Sequence, residues 1–265
     1  MREVIARILV LLVMFTTNAV QALQLNLGVD PVTSPSIMKN ELAPVLKFMH
    51  NKYDLSYVPS RSIDEILQQV KDGKINCAYV SLGYAYLFQK LGFVPLLVSK
   101  ETIYQSLIGK PNFDLSVAKN NSDQNIYFAK NDLYAQYRVH QGTDEFKWAA
   151  NPIPSMTSEN IIFKVLKEPA SLGFIMGDEL GLLHHAMRKH LKVYESEEIG
   201  PVYFVVSKEL SLSFSEIKED FLKFHREFKD DDEQFNYLSL YHFSENVGHK
   251  LKGNSEFERF LQRFQ

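Results

Sequence analysis

Apolar positions along the chain follow two spacings in turn, and this alternation predicts an α/β fold. Short apolar runs typical of strands are followed by stripes in which apolar residues recur every three or four positions, as on one helix face. The runs predicted as strands are 25–29, 55–58, 75–80, 94–98, 104–108, 126–129, 146–149, 172–176 and 202–206. Because strand and helix alternate from the start, we expect mostly parallel sheets flanked by helices.

The predicted helices carry local start and stop signals. Ser62 and Glu65 form a capping-box sequence, whose side chains can satisfy free amides at the start of a helix, and Gly73 is placed to end that helix. The other predicted helices cover 38–49, 83–91, 133–139, 158–167 and 178–189, and two C-terminal stripes run over 217–228 and 257–264. No short tandem repeat is present, which excludes solenoid folds.

The N-terminus has the pattern of a secretory signal peptide. Arg2 and Arg7 flank a short start, 8–15 is an unbroken apolar run, and small residues precede a cleavage point near Ala22. The apolar run is too short for a membrane-spanning helix, which needs roughly 20 residues. We therefore expect 1–22 to be removed and the remaining protein to lie in the periplasm.

Charge and cysteine content exclude several classes of protein. The 265 residues include 29 basic and 32 acidic side chains, a formal net charge of −3, and no basic block. Nucleic acid is therefore not an expected partner, since phosphate binding needs clustered Lys and Arg. Cys77 is the single cysteine, so no internal disulfide can form. Its place in a predicted buried strand indicates a packing role.

The sequence predicts no metal site, no cofactor and no set of catalytic residues. His184, His185 and His190 lack the i, i+4 spacing of a helical zinc pair. The acidic run 230–233 lacks the ligand spacing and glycine of a calcium-binding EF-hand loop. Nucleophile-elbow, Walker and zinc-protease motifs are absent from the sequence. We therefore predict a protein that is not an enzyme.

Several segments of the sequence, taken in order, resemble those of a known family. They are 25–29 with its Pro/Ser/Thr loop, 57–62, 70–79, 104–106, 114–115, 158–162, 172–175 and 199–201. Together they are similar to the phosphate/phosphite/phosphonate-binding family of ABC importer receptors. The resemblance implies two α/β lobes joined by two crossover strands, with lobe 1 formed by 23–105 plus 201–265 and lobe 2 by 106–200. It covers nearly all of the chain after the leader.

The sequence departs from that family at three places. Lys130, Asn131 and Asp132 stand where phosphonate-binding members have a Ser/Thr cluster, Ser158 replaces a common histidine, and Val80 replaces a tyrosine. A fold can persist while its site is rebuilt. The ligand therefore stays open between a phosphonate-like or phosphate-like anion and a zwitterionic or other polar organic molecule.

Candidate ligand-binding residues follow from the geometry of open α/β sheets. Ligands collect beyond the carboxyl ends of parallel strands, where helix N-termini present free amides. In lobe 1 this rule selects Asp30, Thr33, Ser34, Ser60, Arg61, Tyr79, Ser81 and Tyr84. For the crossover and lobe 2 the candidates are Tyr104, Lys130, Asn131, Ser158, Glu159 and Asp178. Asp30 and Glu159 could bind an amine, whereas Lys130 could bind an anion.

The leading hypothesis is a monomeric periplasmic solute-binding protein without a cofactor. It would close two lobes on a small polar or anionic ligand, with hinges near Tyr104 and near Gly200-Pro201, and present that ligand to an ABC permease. Three alternatives stay open at this stage: a periplasmic partner of a membrane sensor protein, an enzyme on the same scaffold, and a scaffold that only docks a partner.

Overall fold

The computed structural model describes residues 22–116, 123–141, 150–177, 183, 185–227, 242–249, 251 and 255–264. The strands in this part of the chain are β1 (Leu23–Val29), β2 (Tyr53–Tyr57), β3 (Cys77–Ser81), β4 (Phe93–Gly109), β5 (Asn125–Ala129), β6 (Asn151–Ser155), β7 (Ser171–Met176), β8 (Lys192–Ser207) and β9 (Phe243–Glu245). The α-helices are α1 (Pro35–Glu41), α2 (Ala43–Met49), α3 (Ile63–Lys71), α4 (Leu82–Lys90), α5 (Leu133–Gln141), α6 (Ser158–Lys167), α7 (His185–Arg188), α8 (Phe214–Glu227) and α9 (Ser255–Leu261).

Two parallel groups of strands are joined by an antiparallel pair. The strand order is β2-β1-β3-β8-β4-β7-β5-β6, and β9 pairs with β4. Pairing is parallel within β2-β1-β3 and within β7-β5-β6. We call the part built on β1, β2 and β3 the first lobe, and the part built on β5, β6 and β7 the second lobe. This confirms the predicted α/β fold of two lobes with mostly parallel sheets.

The antiparallel pair of β4 and β8 forms the two crossover strands. The start of β4 pairs with the end of β8 beside β3, and the end of β4 pairs with the start of β8 beside β7. The sequence predicted 94–98 and 104–108 as separate strands, and 202–206 alone for the return. Each crossover is instead one long strand, because pairing between β4 and β8 continues through the polar residues that separate the apolar runs.

Local signals correctly placed helix α3 of the first lobe. Ser62 caps α3, since its Oγ accepts a hydrogen bond of 3.1 Å from the backbone N–H of Glu65. The Glu65 carboxylate in turn accepts from the backbone N–H of Arg61 at 2.6 Å. Gly73 follows the helix with φ of 69°, the left-handed conformation that favours glycine. The stretch predicted as one helix over 38–49 is two helices that meet at Leu42.

Some predictions fall outside the described residues. These are nearly all of the signal peptide over 1–22, the strand over 146–149, most of the helix over 178–189, and the acidic run 230–233. The strand next to β5 is Asn151–Ser155, which the sequence did not predict because Pro152 and Pro154 argue against a strand. The two prolines are tolerated because β6 lies at the edge of the sheet.

Helices α8 and α9 cover the first lobe, and α9 also reaches the second. In α8, Ile217, Phe221 and Phe224 are buried, as their spacing predicts, and Phe221 stacks on Phe204 of β8 at a ring distance of 4.2 Å. Helix α9 contacts both α4 in the first lobe and α5 in the second. Among the described helices, none has a stretch both long and apolar enough to cross a membrane.

Candidate ligand site between the lobes

The carboxyl ends of β1 and β3 place Asp30 beside the start of α4. Asp30 Oδ2 accepts a hydrogen bond of 2.9 Å from the backbone N–H of Ser81, the N-cap residue of α4. The other oxygen, Oδ1, is buried and has no hydrogen-bond partner among the described residues. A carboxylate at a helix N-terminus is favoured by the free amides there, but here one of its oxygens is left for another donor.

In the second lobe, Asp132 caps helix α5. Its Oδ1 accepts from the backbone N–H groups of Tyr134 at 2.9 Å and of Ala135 at 3.0 Å. Its Oδ2 accepts a bond of 2.8 Å from the side-chain amide of Gln105, which lies on crossover strand β4. Asp132 and Gln105 are both buried, and Gln105 Oε1 has no hydrogen-bond partner among the described residues.

Asn131 joins the two lobes directly. Its side-chain NH2 group donates to the carbonyl oxygens of Pro31 and Arg61, each at 2.8 Å, and both of these belong to the first lobe. Its own carbonyl accepts a bond of 2.7 Å from the hydroxyl of Tyr84 in α4. Thus the strand ends of the two lobes meet, and the contact is made by two buried hydrogen bonds and one partly buried one.

We call Asp30, Tyr84, Gln105, Asn131 and Asp132 the polar seam. Burial raises the pKa of Asp30 to about 7, with a smaller upward contribution from the nearby carboxylate of Asp132 and with the bonds from Ser81 opposing the shift. Burial, followed by the charges of Asp30 and Asp132, also holds the pKa of Tyr84 well above its ordinary value. The described side chains of the seam therefore form an acidic environment, in which the Tyr84 hydroxyl stays a donor.

The carboxyl of Asp30 makes stability depend on pH. Between its unfolded pKa of about 3.9 and its folded pKa of about 7, the folded protein binds more protons. The contribution of this carboxyl to the free energy of unfolding is fully present below about pH 4 and is lost as the pH rises through 7. Relative to Asp30→Asn, we expect the wild type to lose about 3 to 4 kcal/mol over this range, since the pKa shifts by about three units and one unit corresponds to about 1.4 kcal/mol. Urea unfolding at a series of pH values measures the free energy of unfolding of both proteins. If the two plots of that free energy against pH run parallel, the prediction is wrong.

Four predicted residues form part of the seam or lie next to it. They are Asp30, Ser81, Tyr84 and Asn131. Arg61 contributes its backbone carbonyl, while its side chain is exposed. Thr33 and Ser34 are half-buried in the loop after β1, and Ser34 Oγ lies 3.3 Å from Ser36 Oγ. These two residues stay candidates for contact with a ligand.

Other predicted residues make contacts outside the seam or flank it in the chain. The Ser60 hydroxyl donates to Gln69 at 2.6 Å, and Lys130 is half-buried, with its backbone N–H bonded to the carbonyl of Ser155. Ser158 is buried at the start of α6, whose N-cap is Thr157, and Glu159 is exposed. Tyr104 is 46% exposed on β4. Asp178 lies outside the described residues.

The structure does not support Tyr79 as a site residue. Strand β3 continues two residues beyond Tyr79 to Ser81, and the Tyr79 ring is buried beneath α8. Its hydroxyl lies 2.8 Å from His225 Nε2, and burial lowers the pKa of His225 to about 3. The neutral imidazole and the phenol form a buried pair inside the core of the first lobe, so Tyr79 is a packing residue.

Sequence reasoning missed Asp132 and Gln105. Asp132 had a signal, because an aspartate directly before the apolar stripe of a predicted helix is a typical N-cap. Gln105 had no such signal in the sequence. A polar residue inside a strand can be recognised as a site residue only when its partner across the fold is known. Both connect the site to the crossover strand.

A cleft of about 790 Å³ opens at the opposite edge of the second lobe. It is lined by Lys110, Pro111, Asn112, Phe113, Leu166, Pro169, Met187 and His190. These residues follow β4, precede β7 or precede β8, at the level of the amino ends of the parallel strands, so this cleft is separate from the seam. No group of His, Cys, Asp and Glu side chains able to hold a metal ion occurs among the described residues. Cys77 is buried, as predicted.

No protein-family model matches the sequence, and no curated protein matches it either. Solved structures do match. The binding protein component of an ABC phosphonate transporter from Pseudomonas aeruginosa has a TM-score of 0.65 at 15% identity, covering 92% of this chain and 88% of that chain. A Prochlorococcus marinus protein, solved in complex with methylphosphonate, has a TM-score of 0.67 at 11% identity, covering 92% and 97%.

A third neighbour binds a different class of anion. The periplasmic aliphatic sulphonate binding protein of Escherichia coli has a TM-score of 0.56 at 11% identity, covering 78% of this chain and 72% of that chain. At these identities the likeness concerns the fold. Together with the topology of the two lobes, it leads to one conclusion: this chain has the two-lobe fold of the periplasmic solute-binding proteins.

Proposed function

We propose that the chain is an exported solute-binding protein that traps a small polar ligand between its lobes by hinge closure. The observation that carries the proposal is the polar seam, where strand ends of both lobes meet through Asn131 and leave buried side-chain oxygens of Asp30 and Gln105 for a further donor. A ligand can drive closure only if it binds the closed form better than the open form. Contacts from both lobes provide this difference in affinity, because the ligand can make all of them only in the closed form.

The crossover strands are the proposed hinge. The pairing of β4 with β8 shifts register between Val98 and Thr102 and again between Ile103 and Tyr104. Gly200, opposite Ile103, has φ of 139°, a conformation that other residues rarely adopt. Irregular pairing and a glycine at the level where the strands leave the first lobe favour bending there. The proposed lobe boundaries accordingly lie at 105/106 and 200/201.

The proposal places the protein in the periplasm as a component of an ABC importer. The leader with Arg2, Arg7 and the apolar run supports export, and the fold likeness to binding proteins supports the transport role. The closed form would be presented to the permease as a monomer. No step of this proposal requires catalysis.

A ligand screen on the protein without residues 1–22 tests the proposal. The panel contains phosphate, phosphonates, sulphonates, amino acids, amines, nucleobases and arsenite, each followed by thermal unfolding. A ligand at about 100 times its dissociation constant adds about 2.7 kcal/mol of stability. A hit should also contract the molecule in solution scattering. A bound compound that leaves the interlobe distance unchanged, or one that is turned over, would contradict the proposal.

A further inference from the structure

The unpartnered groups of the polar seam are all acceptors. Asp30 Oδ1 and Gln105 Oε1 are buried oxygens without a hydrogen-bond partner among the described residues. The donors of the seam are already used: Asn131 donates to two carbonyls, Tyr84 donates to Asn131, and the Gln105 amide donates to Asp132. A buried oxygen without a donor costs free energy. A ligand that fits here must therefore bring donors.

The charges near the seam point the same way. Asp30 and Asp132 are acidic and close enough to interact electrostatically. Arg138, a buried cation of the second lobe, is neutralised by ion pairs with Glu195 and Glu197 on β8. An oxyanion would meet two carboxylates here without a counter-charge from Arg138. An ammonium group carries positive charge and three donors, and has no need of an acceptor of its own.

We propose that the interlobe site binds an organic ammonium group, with Asp30 as its anionic partner and the Gln105 side-chain carbonyl as a further acceptor. This inference rests on the proposed function, since it names the class of ligand that the lobes trap. Gln105 lies on a crossover strand and holds the helix cap Asp132 of the second lobe. An amine bound by Asp30 and Gln105 would thus connect the first lobe to the proposed hinge and, through Asp132, to the second lobe.

Matched pairs of compounds test the inference on the unaltered protein. Titration calorimetry at pH 8 compares 4-aminobutyrate with butyrate, ethanolamine with ethylene glycol, and 2-aminoethylphosphonate with ethylphosphonate. In at least one pair the amine should bind roughly 100-fold more tightly, since a charge-assisted hydrogen bond to a buried carboxylate is worth 10- to 100-fold in affinity. Equal affinity within every pair that binds would overturn the amine inference and leave the proposed function standing.

Two variants assign the effect to Asp30. Asp30→Asn keeps the size of the side chain and an acceptor for Ser81, but removes the charge, and should weaken binding of the amine by roughly 100-fold. The matched control is Asp54→Asn on β2, an exposed carboxylate, which should leave the affinity within about twofold. If Lys130→Met abolishes binding while Asp30→Asn preserves it, the ligand is recognised as an anion and the inference is wrong. If no compound in these pairs binds, the inference is also overturned, and only a hit elsewhere in the broader screen would preserve the proposed function.

Discussion

Replacing Phe257 by alanine should lower the free energy of unfolding by about 3 to 5 kcal/mol, the usual cost of truncating a buried phenylalanine. The ring is 2% exposed in helix α9. It contacts Tyr134 and Tyr137 of the second lobe at ring distances of 5.0 and 5.4 Å. On the first lobe it packs so closely on Gly83 that a Cβ there would lie 3.0 Å from its Cζ. The change therefore removes an apolar contact shared by both lobes.

Equilibrium unfolding in urea measures this effect. The matched control is Phe163→Ala in α6, because that ring is 62% exposed and its loss should change stability by less than about 0.5 kcal/mol. Equal stability of the two variants would mean that α9 does not pack between α4 and α5. A loss confined to Phe257→Ala supports the bridging position of the C-terminal helix.

Replacing Asn131 by aspartate should separate the lobes. The side-chain NH2 group that donates to the carbonyls of Pro31 and Arg61 becomes an oxygen facing two acceptors. The new charge also lies beside Asp132 in the chain. Two lost hydrogen bonds and two unsatisfied buried acceptors should cost the closed form about 3 kcal/mol or more, enough to shift its population more than 100-fold. Solution scattering should show a larger radius of gyration.

Asn160→Asp is the matched control for this charge change. Asn160 is exposed in the first turn of α6, where a negative charge is favourable. Its variant should keep the dimensions of the wild type. If Asn131→Asp is equally compact and binds ligand as the wild type does, the contact through Asn131 does not hold the lobes together.

The parts of the fold that depend on near neighbours could be predicted from the sequence. The cap formed by Ser62 and Glu65, the helix end at Gly73 and the buried face of α8 are set within a few residues. The apolar runs also located most strands. What the sequence lacked was pairing across the fold, which joins two apolar runs into β4 and makes β6 a strand despite its prolines.

The candidate site was only half predictable for the same reason. The rule of strand ends selected Asp30, Ser81 and Asn131, because the ends of parallel strands are defined by local sequence. It also selected Tyr79, whose ring is instead buried in the core of the first lobe against Phe221 of α8. Gln105 needed knowledge of its partner Asp132, which is 27 residues away along the chain and opposite it in the fold.

The central claim is that two hinged lobes close on a ligand, and a distance between them tests it most directly. Spin labels at Lys39→Cys in α1 and Asn160→Cys in α6 are exposed and lie on different lobes, while the native Cys77 is buried and stays unlabelled. Pulsed electron paramagnetic resonance then gives the distance distribution with and without the compound that most stabilises the protein. We expect a longer population in the free protein that collapses to the shorter distance on binding. One unchanged distribution under saturating ligand would contradict the claim.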